Sequence, residues 1–206
     1  MVRFIFDLDG TLTKSETLPI ISEHFSLQEK IAELTMQTVQ GNIPFEESFV
    51  RRVSILRKCP VSEVSELLAT VALHENVHSF IAAHSEHCII ATSNLFCWVD
   101  KLTEKIGCKA FYSEALVEND TVTKITSILC KESVVDFYKQ QGDFVVFIGD
   151  GHNDMEAMRL ADVSIATGLV HAPAKSIVSI ADYVVDNEDI LCDLLNKLLN
   201  FENGQE

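Results

Sequence analysis

Short apolar runs that alternate with helical patterns are the feature that most constrains the fold of this chain. Runs typical of strands lie at residues 2–6, 88–92, 144–148, 163–166 and 183–185, with a weaker one at 109–112. The run at 144–148 is apolar throughout, which is typical of a strand covered by helices on both faces. This alternation predicts an α/β fold built on a doubly wound parallel sheet.

More helix lies between the first two strong strands than a single crossover requires. Helical patterns fill this interval at residues 27–40, 45–56 and 62–73. Gly41-Asn42 and Cys59-Pro60 separate these patterns, since glycine and proline tend to end helices. We therefore predict a small helical cap at residues 15–75, inserted into an α/β core formed by residues 1–14 and 76–206.

Two further elements are expected outside the insertion. Glu118-Asn119-Asp120 is a favourable turn sequence, so residues 117–122 are predicted to form a short hairpin. The leucine pattern near residues 190–199 predicts an amphipathic helix whose apolar side covers the sheet.

Composition and charge argue against several classes of protein. No apolar run approaches the ~20 residues that cross a bilayer, and no signal-peptide pattern opens the chain, so we expect a soluble cytoplasmic protein without a membrane partner. The formal net charge of −15 would repel nucleic acid. The six cysteines form no CxxC pair, which disfavours both a disulfide framework and a zinc site.

The first acidic motif follows the strand at residues 2–6. Asp7 and Asp9 stand two positions apart and precede Gly10-Thr11. Residues two apart on an extended strand point the same way, and ligands of open parallel sheets bind at the carboxyl ends of strands. Two carboxylates this close repel each other unless a cation or a shared proton lies between them.

A second acidic motif, Gly-Asp-Gly-His-Asn-Asp at residues 149–154, follows the strand at 144–148. Together, Asp7, Asp9, Asp150 and Asp154 would form the kind of oxygen-rich site that suits Mg²⁺. Each motif alone is also an ordinary turn or helix-cap sequence. Their joint occurrence behind two apolar strands favours a site.

A third strand end is polar without being acidic. The run at 88–92 leads into Thr92-Ser93-Asn94, ahead of a helical pattern. Hydroxyl and backbone N–H groups at a helix N-terminus can bind an anion, although threonine and serine are also common helix caps.

Taken together, these motifs resemble those of the haloacid dehalogenase-like superfamily of aspartate-nucleophile phosphatases. The matching segments are Asp7-x-Asp9-Gly10-Thr11, the hydroxyl of Thr92, a lysine before a later helix and the motif at 149–154; they span nearly the whole chain. Within the superfamily, residues 7–16 and 40–53 are similar to the phosphoserine phosphatase branch. The resemblance implies a Rossmann-like core with a helical cap.

The resemblance also implies a role for each matching residue. Asp7 would be the nucleophile that forms an aspartyl-phosphate, and Asp9 would act first as an acid and then as a base. Mg²⁺ would be bound by Asp7, Asp150 and the main-chain carbonyl of Asp9. Thr92 would donate a hydrogen bond to the phosphoryl group, and Lys131 would balance its charge.

One of these assignments has a competitor. Lys131 precedes a helical pattern, as the resemblance requires, but Lys124 is the alternative and either could be a surface lysine. Asn153 and Asp154 would orient the phosphate and the waters on the metal.

Substrate choice is expected to lie in the cap. In the branch that this chain resembles, a glutamate at the position of Glu16 binds the amino group of phosphoserine. An arginine at the position of Arg52 binds its carboxylate. Arg51, Arg52, Arg57 and Lys58 also form the densest basic cluster, which could attract an anionic substrate to this acidic chain. A solvated helix face is the alternative interpretation of that cluster.

One departure from the branch bears on the substrate. Thr92-Ser93-Asn94 stands where the branch has Ser-Gly-Gly. Thr92 can still donate its hydroxyl, and Ser93 remains a candidate for substrate binding. The bulkier side chains could nevertheless reshape the pocket, which puts phosphoserine as the substrate in question.

Three functions follow from these motifs. The leading one is hydrolysis of a small phosphomonoester, with phosphoserine as the first candidate and phosphoethanolamine, phosphocholine, sugar phosphates and pyridoxal phosphate as others. Transfer of the phosphoryl group to an alcohol is the second, and non-catalytic binding of a phosphometabolite is the third. Dehalogenation is disfavoured because it requires neither Asp9 as an acid nor a metal at Asp150. The oligomeric state is open.

Overall fold

The computed structural model describes residues 1–39 and 42–202, and within these ranges the chain forms one seven-stranded sheet and ten α-helices. In chain order the elements are β1 (Val2–Phe6), α1 (Thr17–His24), α2 (Gln28–Val39), α3 (Phe45–Leu56), α4 (Val61–Ala69), α5 (Glu75–Ala83), β2 (Cys88–Leu95), α6 (Phe96–Ile106), β3 (Lys109–Glu118), β4 (Thr121–Ser127), α7 (Lys131–Gln140), β5 (Phe144–Gly149), a 3₁₀ turn (His152–Asp154), α8 (Met155–Leu160), β6 (Val163–Thr167), α9 (Lys175–Val178), β7 (Tyr183–Val185) and α10 (Glu188–Glu202).

The strand order places β1 at the centre of the sheet. The order is β4-β3-β2-β1-β5-β6-β7, with every neighbouring pair parallel except β3 and β4. Phe6 lies opposite Ile90 of β2 on one side and Ile148 of β5 on the other. The residues that follow these strands therefore reach the same edge of the sheet.

Both faces of the sheet are covered by helices. Phe4 and Phe6 point into one core cluster, which includes Trp98 of α6 and side chains of α5 and α10. Ile5 points to the opposite face, into a second cluster with Tyr138 of α7 and side chains of α8 and α9. Alternate residues of β1 thus enter opposite layers, as the pleat of a strand requires. The predicted α/β fold with a doubly wound sheet is confirmed.

The helices α1–α4 lie between β1 and β2 in the chain, where the helical insertion was expected. The two connections to this insertion run side by side, since Thr13 and Leu73 form an antiparallel bridge. The amide of Lys14 donates to the carbonyl of Ala72 at 2.8 Å, and the amide of His74 donates to that of Leu12 at 3.0 Å.

The predicted hairpin is present and longer than expected. β3 extends to Glu118, and Asn119 and Asp120 form the turn with φ of +50° and +62°, the left-handed region that these residue types tolerate well. Asp120 also contacts the first turn of α4: its main-chain and side-chain oxygens accept hydrogen bonds from Val61 and Ser62.

Several boundaries differ from the expectation, including those of β2 and α4. β2 continues through Thr92-Ser93-Asn94 to Leu95, where a break had been predicted after Thr92. Polar residues can extend a strand when their side chains find partners, as these do in the site described below. α4 ends at Ala69 rather than at Leu73, because Leu73 enters the bridge with Thr13. The motif at 40–53 begins with Gln40 and Gly41, which lie outside the described residues.

Among the helices that the structure describes, none is long and apolar enough to span a membrane.

Candidate active site

The site is built on three neighbouring strand ends. Asp7 directly follows β1, and its amide still donates to the carbonyl of Ile148 at 2.8 Å. Asp150 directly follows β5, and Thr92 lies near the end of β2. Each of these three side chains is almost inaccessible to solvent. The parallel pairing of the strands thus delivers two carboxylates and a hydroxyl to one buried edge.

Lys131 joins the acidic groups at this edge. It is the first residue of α7, and its ammonium nitrogen Nζ lies 2.7 Å from Oδ1 of Asp7 and 2.6 Å from Oδ1 of Asp154. The lysine side chain is 1% exposed, so both ion pairs are shielded from water. The competing lysine, Lys124, is exposed on β4.

Asp154 supports the turn after β5. Its second oxygen, Oδ2, accepts hydrogen bonds from the amides of Asp150 at 3.1 Å and Gly151 at 2.9 Å. Both oxygens of Asp154 are therefore engaged, one by Lys131 and one by the backbone. This arrangement fixes where the side chain of Asp150 leaves the main chain.

Gly10 leaves room for Asp150. Its φ is +67°, and a Cβ atom at this position would lie 2.7 Å from Oδ2 of Asp150 and 3.0 Å from Oε1 of Glu16. The next residue, Thr11, donates from its hydroxyl to Oδ1 of Asp150 at 3.3 Å and contacts the hydroxyl of Thr167 at 3.2 Å. Glycine is required here both for the backbone conformation and for the space.

Both carboxylate oxygens of Asp9 accept hydrogen bonds. Oδ1 accepts from the amide of Thr17 at 2.9 Å, and Oδ2 accepts from the side-chain amide of Asn94 at 2.5 Å. Asn94 also donates to the hydroxyl of Thr17 at 3.1 Å, and its own backbone N–H donates to Thr92 at 3.1 Å. Asn94, which the motifs marked only as a departure, is thus a direct neighbour of the predicted acid.

Burial governs the protonation of these groups. It raises the pKa of Asp7, an effect that Lys131 partly opposes. Burial likewise raises the pKa of Asp9 and of Asp154, although hydrogen bonds from Thr17 and Asn94 oppose the effect at Asp9 and Lys131 opposes it at Asp154. Burial alone would lower the pKa of Lys131, but its two carboxylate partners outweigh this and raise it.

The acidic cluster is suited to a cation. Carboxylate oxygens of Asp7, Asp150 and Asp154 all lie within 4.8 Å of one another, and all three residues are buried. Among the described residues, Lys131 and His171 are the basic side chains that contact this cluster, so its three carboxylates outnumber them. The set could hold a metal ion, and carboxylate oxygen is the ligand that hard divalent cations prefer.

The predicted substrate-binding residues have different environments. Ser93 is buried on β2, and Asn153 is half-buried in the 3₁₀ turn. Arg52 is half-buried on α3, where burial lowers its pKa and the nearby charge of Glu16 opposes that effect. Burial raises the pKa of Glu16 to about 7, with the negative charge of Asp9 adding to the rise.

The rest of the predicted basic cluster is directed to solvent. Arg51, Arg57 and Lys58 are exposed, and Arg51 pairs with Glu47 one helical turn away. Only Arg52 of this cluster is both half-buried and close to Glu16.

His171 is a site residue that none of the motifs predicts. Its Nε2 lies 2.9 Å from Oε1 of Glu16 and 3.1 Å from Oδ2 of Asp150. The hydrogen bond to Asp150, and after it the one to Glu16, raises the pKa of His171 to about 10. Burial opposes this rise. The residue belongs to the loop after β6, seventeen positions beyond Asp154, and no local pattern in that loop marks it.

Comparisons with known proteins agree on one family. The model of the haloacid dehalogenase-like hydrolases matches residues 4–159. The phosphoserine phosphatase of Methanocaldococcus jannaschii is 26% identical over 175 residues, which cover 79% of this chain and 83% of that protein. The phosphoserine phosphatase of Campylobacter jejuni subsp. doylei is 26% identical over 200 residues, covering 90% and 94%.

Solved structures share the fold. A substrate-bound phosphoserine phosphatase complex superposes with a TM-score of 0.80 at 22% identity, covering 96% of this chain and 98% of the other. A phospho-aspartyl intermediate analogue of phosphoserine phosphatase superposes with a TM-score of 0.77, also at 22% identity, covering 96% and 99%. Since the family model spans most of the sequence and includes both acidic motifs, this chain belongs to the haloacid dehalogenase-like hydrolases.

Proposed function

We propose that this protein is a magnesium-dependent phosphatase that hydrolyses a small phosphomonoester through an aspartyl-phosphate on Asp7, with phosphoserine as the first candidate substrate. The observation that carries the proposal is the buried contact of Lys131 with Asp7, beside Asp150. A lysine enclosed with a carboxylate at the carboxyl edge of a parallel sheet is placed to meet a phosphoryl group that approaches that carboxylate.

Covalent catalysis divides the hydrolysis into two steps. In the first, a carboxylate oxygen of Asp7 attacks phosphorus while the bond from phosphorus to the ester oxygen breaks. Lys131 neutralises charge on the phosphoryl oxygens, and the hydroxyl of Thr92 donates a hydrogen bond to one of them. In the second step, water attacks phosphorus, phosphate leaves and Asp7 is regenerated.

Asp9 would handle the proton in both steps. It gives a proton to the departing alkoxide and takes one from the attacking water, so it ends in the state in which it began. Its raised pKa favours the protonated form that the first step needs. The hydrogen bonds from Asn94 and Thr17 hold both of its oxygens in place.

The metal ion would be held by Asp7, Asp150 and the main-chain carbonyl of Asp9. When bound, Mg²⁺ supplies positive charge that lets an anionic phosphate approach the anionic nucleophile. Asp154 would orient Asp150, since its own oxygens are engaged by Lys131 and the backbone. Asn153 would help to position the phosphate.

The substrate's remaining groups would be bound by the helical insertion, which we propose acts as a cap over residues 1–14 and 76–206. Nε of Arg52 is buried and has no hydrogen-bond partner among the described residues, which supports a role in binding a carboxylate of the ligand. Glu16 would face an amino group, and Ser93 would line the pocket near the phosphate. The phosphoserine phosphatases among the relatives support phosphoserine as the first candidate.

All six cysteines are unpaired, which suits a reducing compartment such as the cytoplasm. We propose that the protein acts there on a dissolved small molecule.

The test is phosphate release from a panel of phosphomonoesters, with Mg²⁺ and with a chelator. The panel contains L-phosphoserine, phosphoethanolamine, phosphocholine, sugar phosphates, pyridoxal phosphate and p-nitrophenyl phosphate. We expect metal-dependent release, with L-phosphoserine among the best substrates. Folded protein that binds Mg²⁺ but releases phosphate from none of these compounds would contradict the proposal. Added alcohols that capture the phosphoryl group in preference to water would replace it with a transferase.

A further inference from the structure

Glu16 already has a hydrogen-bond partner within the protein. Nε2 of His171 lies 2.9 Å from its Oε1, in a rim position where the histidine side chain is 46% exposed and the glutamate side chain 36% exposed. The same nitrogen lies 3.1 Å from Oδ2 of Asp150. A single imidazole N–H group is therefore placed between the two carboxylates, which would otherwise repel each other.

The loop that carries His171 is fastened at both ends. The amide of Gly168 donates to the carbonyl of Val185 at 2.8 Å, and the amide of Ala174 donates to the carbonyl of Asp150 at 2.9 Å. Leu169, between these two points, packs against the larger core cluster. The position of His171 beside Glu16 is thus set by the backbone of the loop and not only by its own side chain.

Both ring nitrogens of His171 face hydrogen-bond acceptors. Nδ1 lies 3.1 Å from the carbonyl of Ala172, while Nε2 faces the two carboxylates. Because a carboxylate oxygen accepts hydrogen bonds, Nε2 is the donor to Glu16. Glu16 therefore already accepts a hydrogen bond from within the protein, and the ammonium of a phosphorylated amino acid would have to offer it another.

We propose that His171 is a specificity-determining residue that competes with a substrate ammonium group for Glu16 and so widens the substrate range beyond phosphorylated amines. The inference deepens the proposed function and rests on it. An ammonium group that binds Glu16 has to displace or share an existing hydrogen bond. The ammonium group therefore contributes less to the binding free energy of the substrate. Phosphomonoesters that carry a carboxylate for Arg52 but no amino group should then have values of kcat/KM only a little below that of phosphoserine.

The test compares L-phosphoserine with its deamino analogue, 3-phosphonooxypropanoate, which keeps the phosphate and the carboxylate. The measured quantity is the ratio of kcat/KM for the two compounds at saturating Mg²⁺. In His171→Ala, Glu16 is free for the ammonium group, and we expect the ratio to rise about tenfold in favour of phosphoserine, as about 1.4 kcal/mol of added binding would give. In a Glu16→Gln/His171→Ala double variant the rise should disappear.

His152→Ala is the matched control. His152 is also exposed near the site, but its ring contacts Ser176 at 2.8 Å instead of Glu16, so the ratio should stay at the wild-type value. Circular dichroism checks that each variant is folded. His171→Gln provides a second variant that removes the imidazole while retaining an N–H donor, and it should give a smaller rise.

The outcomes separate the two proposals. An unchanged ratio in folded His171→Ala overturns the role of His171. A loss of activity by the same factor on both compounds and on p-nitrophenyl phosphate also overturns it, because that pattern places His171 in support of Asp150. Failure of the proposed function would be seen earlier, as an absence of metal-dependent p-nitrophenyl phosphate hydrolysis by the wild-type protein.

Discussion

Adding one methyl group at Gly10 tests whether the position of Asp150 controls activity. Gly10 has a φ of +67°, and in this region a side chain costs about 1–2 kcal/mol. The new Cβ would also lie 2.7 Å from Oδ2 of Asp150. To reach ordinary van der Waals contact, the carboxylate would have to move by about 0.7 Å, and misplacement on the scale of 1 Å can cost about 100-fold in rate.

We therefore expect Gly10→Ala to lose about 100-fold in kcat/KM and to need more Mg²⁺ for half-maximal activity. Overpacking adds about 1–3 kcal/mol to the strain, so the free energy of unfolding should fall by about 2–5 kcal/mol in total. Urea unfolding measures the stability, and Mg²⁺ titration of p-nitrophenyl phosphate hydrolysis measures the activity.

Gly107→Ala is the matched control for backbone strain. Gly107 has a φ of +83°, but a Cβ there would meet no atom within 4 Å. This variant should lose about 1–2 kcal/mol of stability and keep its activity. If Gly10→Ala retained wild-type activity and Mg²⁺ dependence at a temperature where both variants are folded, the reasoning about Asp150 would be refuted.

Three further substitutions test separate parts of the site. Asp7→Asn should abolish turnover with an unchanged circular dichroism spectrum, and appreciable remaining activity would rule out Asp7 as the nucleophile. Lys131→Met should remove activity and lower the free energy of unfolding by about 3–5 kcal/mol in urea titrations, because it leaves the carboxylates of Asp7 and Asp154 buried without their partner. Arg52→Ala should raise KM for phosphoserine much more than for p-nitrophenyl phosphate, whereas the exposed Arg51→Ala should change neither; equal losses on both substrates would remove Arg52 from the pocket.

Local patterns in the sequence were sufficient to predict the acidic motifs that follow β1 and β5. β1, β7 and α3 begin and end where the sequence patterns indicated. Asp7 and Asp150 come together because they directly follow two parallel strands, and this follows from the motif positions and the sheet alone. The family comparison supports the same fold.

Contacts that depend on side-chain reach were not predictable in this way. Asn94 and Asp9 are 85 positions apart, and His171 and Glu16 are 155 positions apart. Each pair meets because a strand or loop from a distant part of the chain ends at the same edge. Neither partner carries a local pattern that indicates the other, so only the assembled fold could reveal them.

The contacts of α4 restrict how the site can open. Asp120 of the hairpin binds the first turn of α4, Ser65 in its middle donates to Asp100 of α6 at 2.5 Å, and Nζ of Lys105 lies 3.3 Å from the carbonyl of Val71 just after its end. A helix attached to the core at three points does not swing away with the rest of the insertion.

The attachment of α4 bears on the rate at which substrate enters and product leaves. With α4 held in place and α1 joined to it through His24 and Glu63, the part of the insertion left to move is the pair α2 and α3, which pack on each other and include Arg52. The bend for such a movement would fall at residues 57–60, between α3 and α4. If the insertion acts as the proposed cap, product release would be timed by the opening of these two helices, which would withdraw Arg52 from the site.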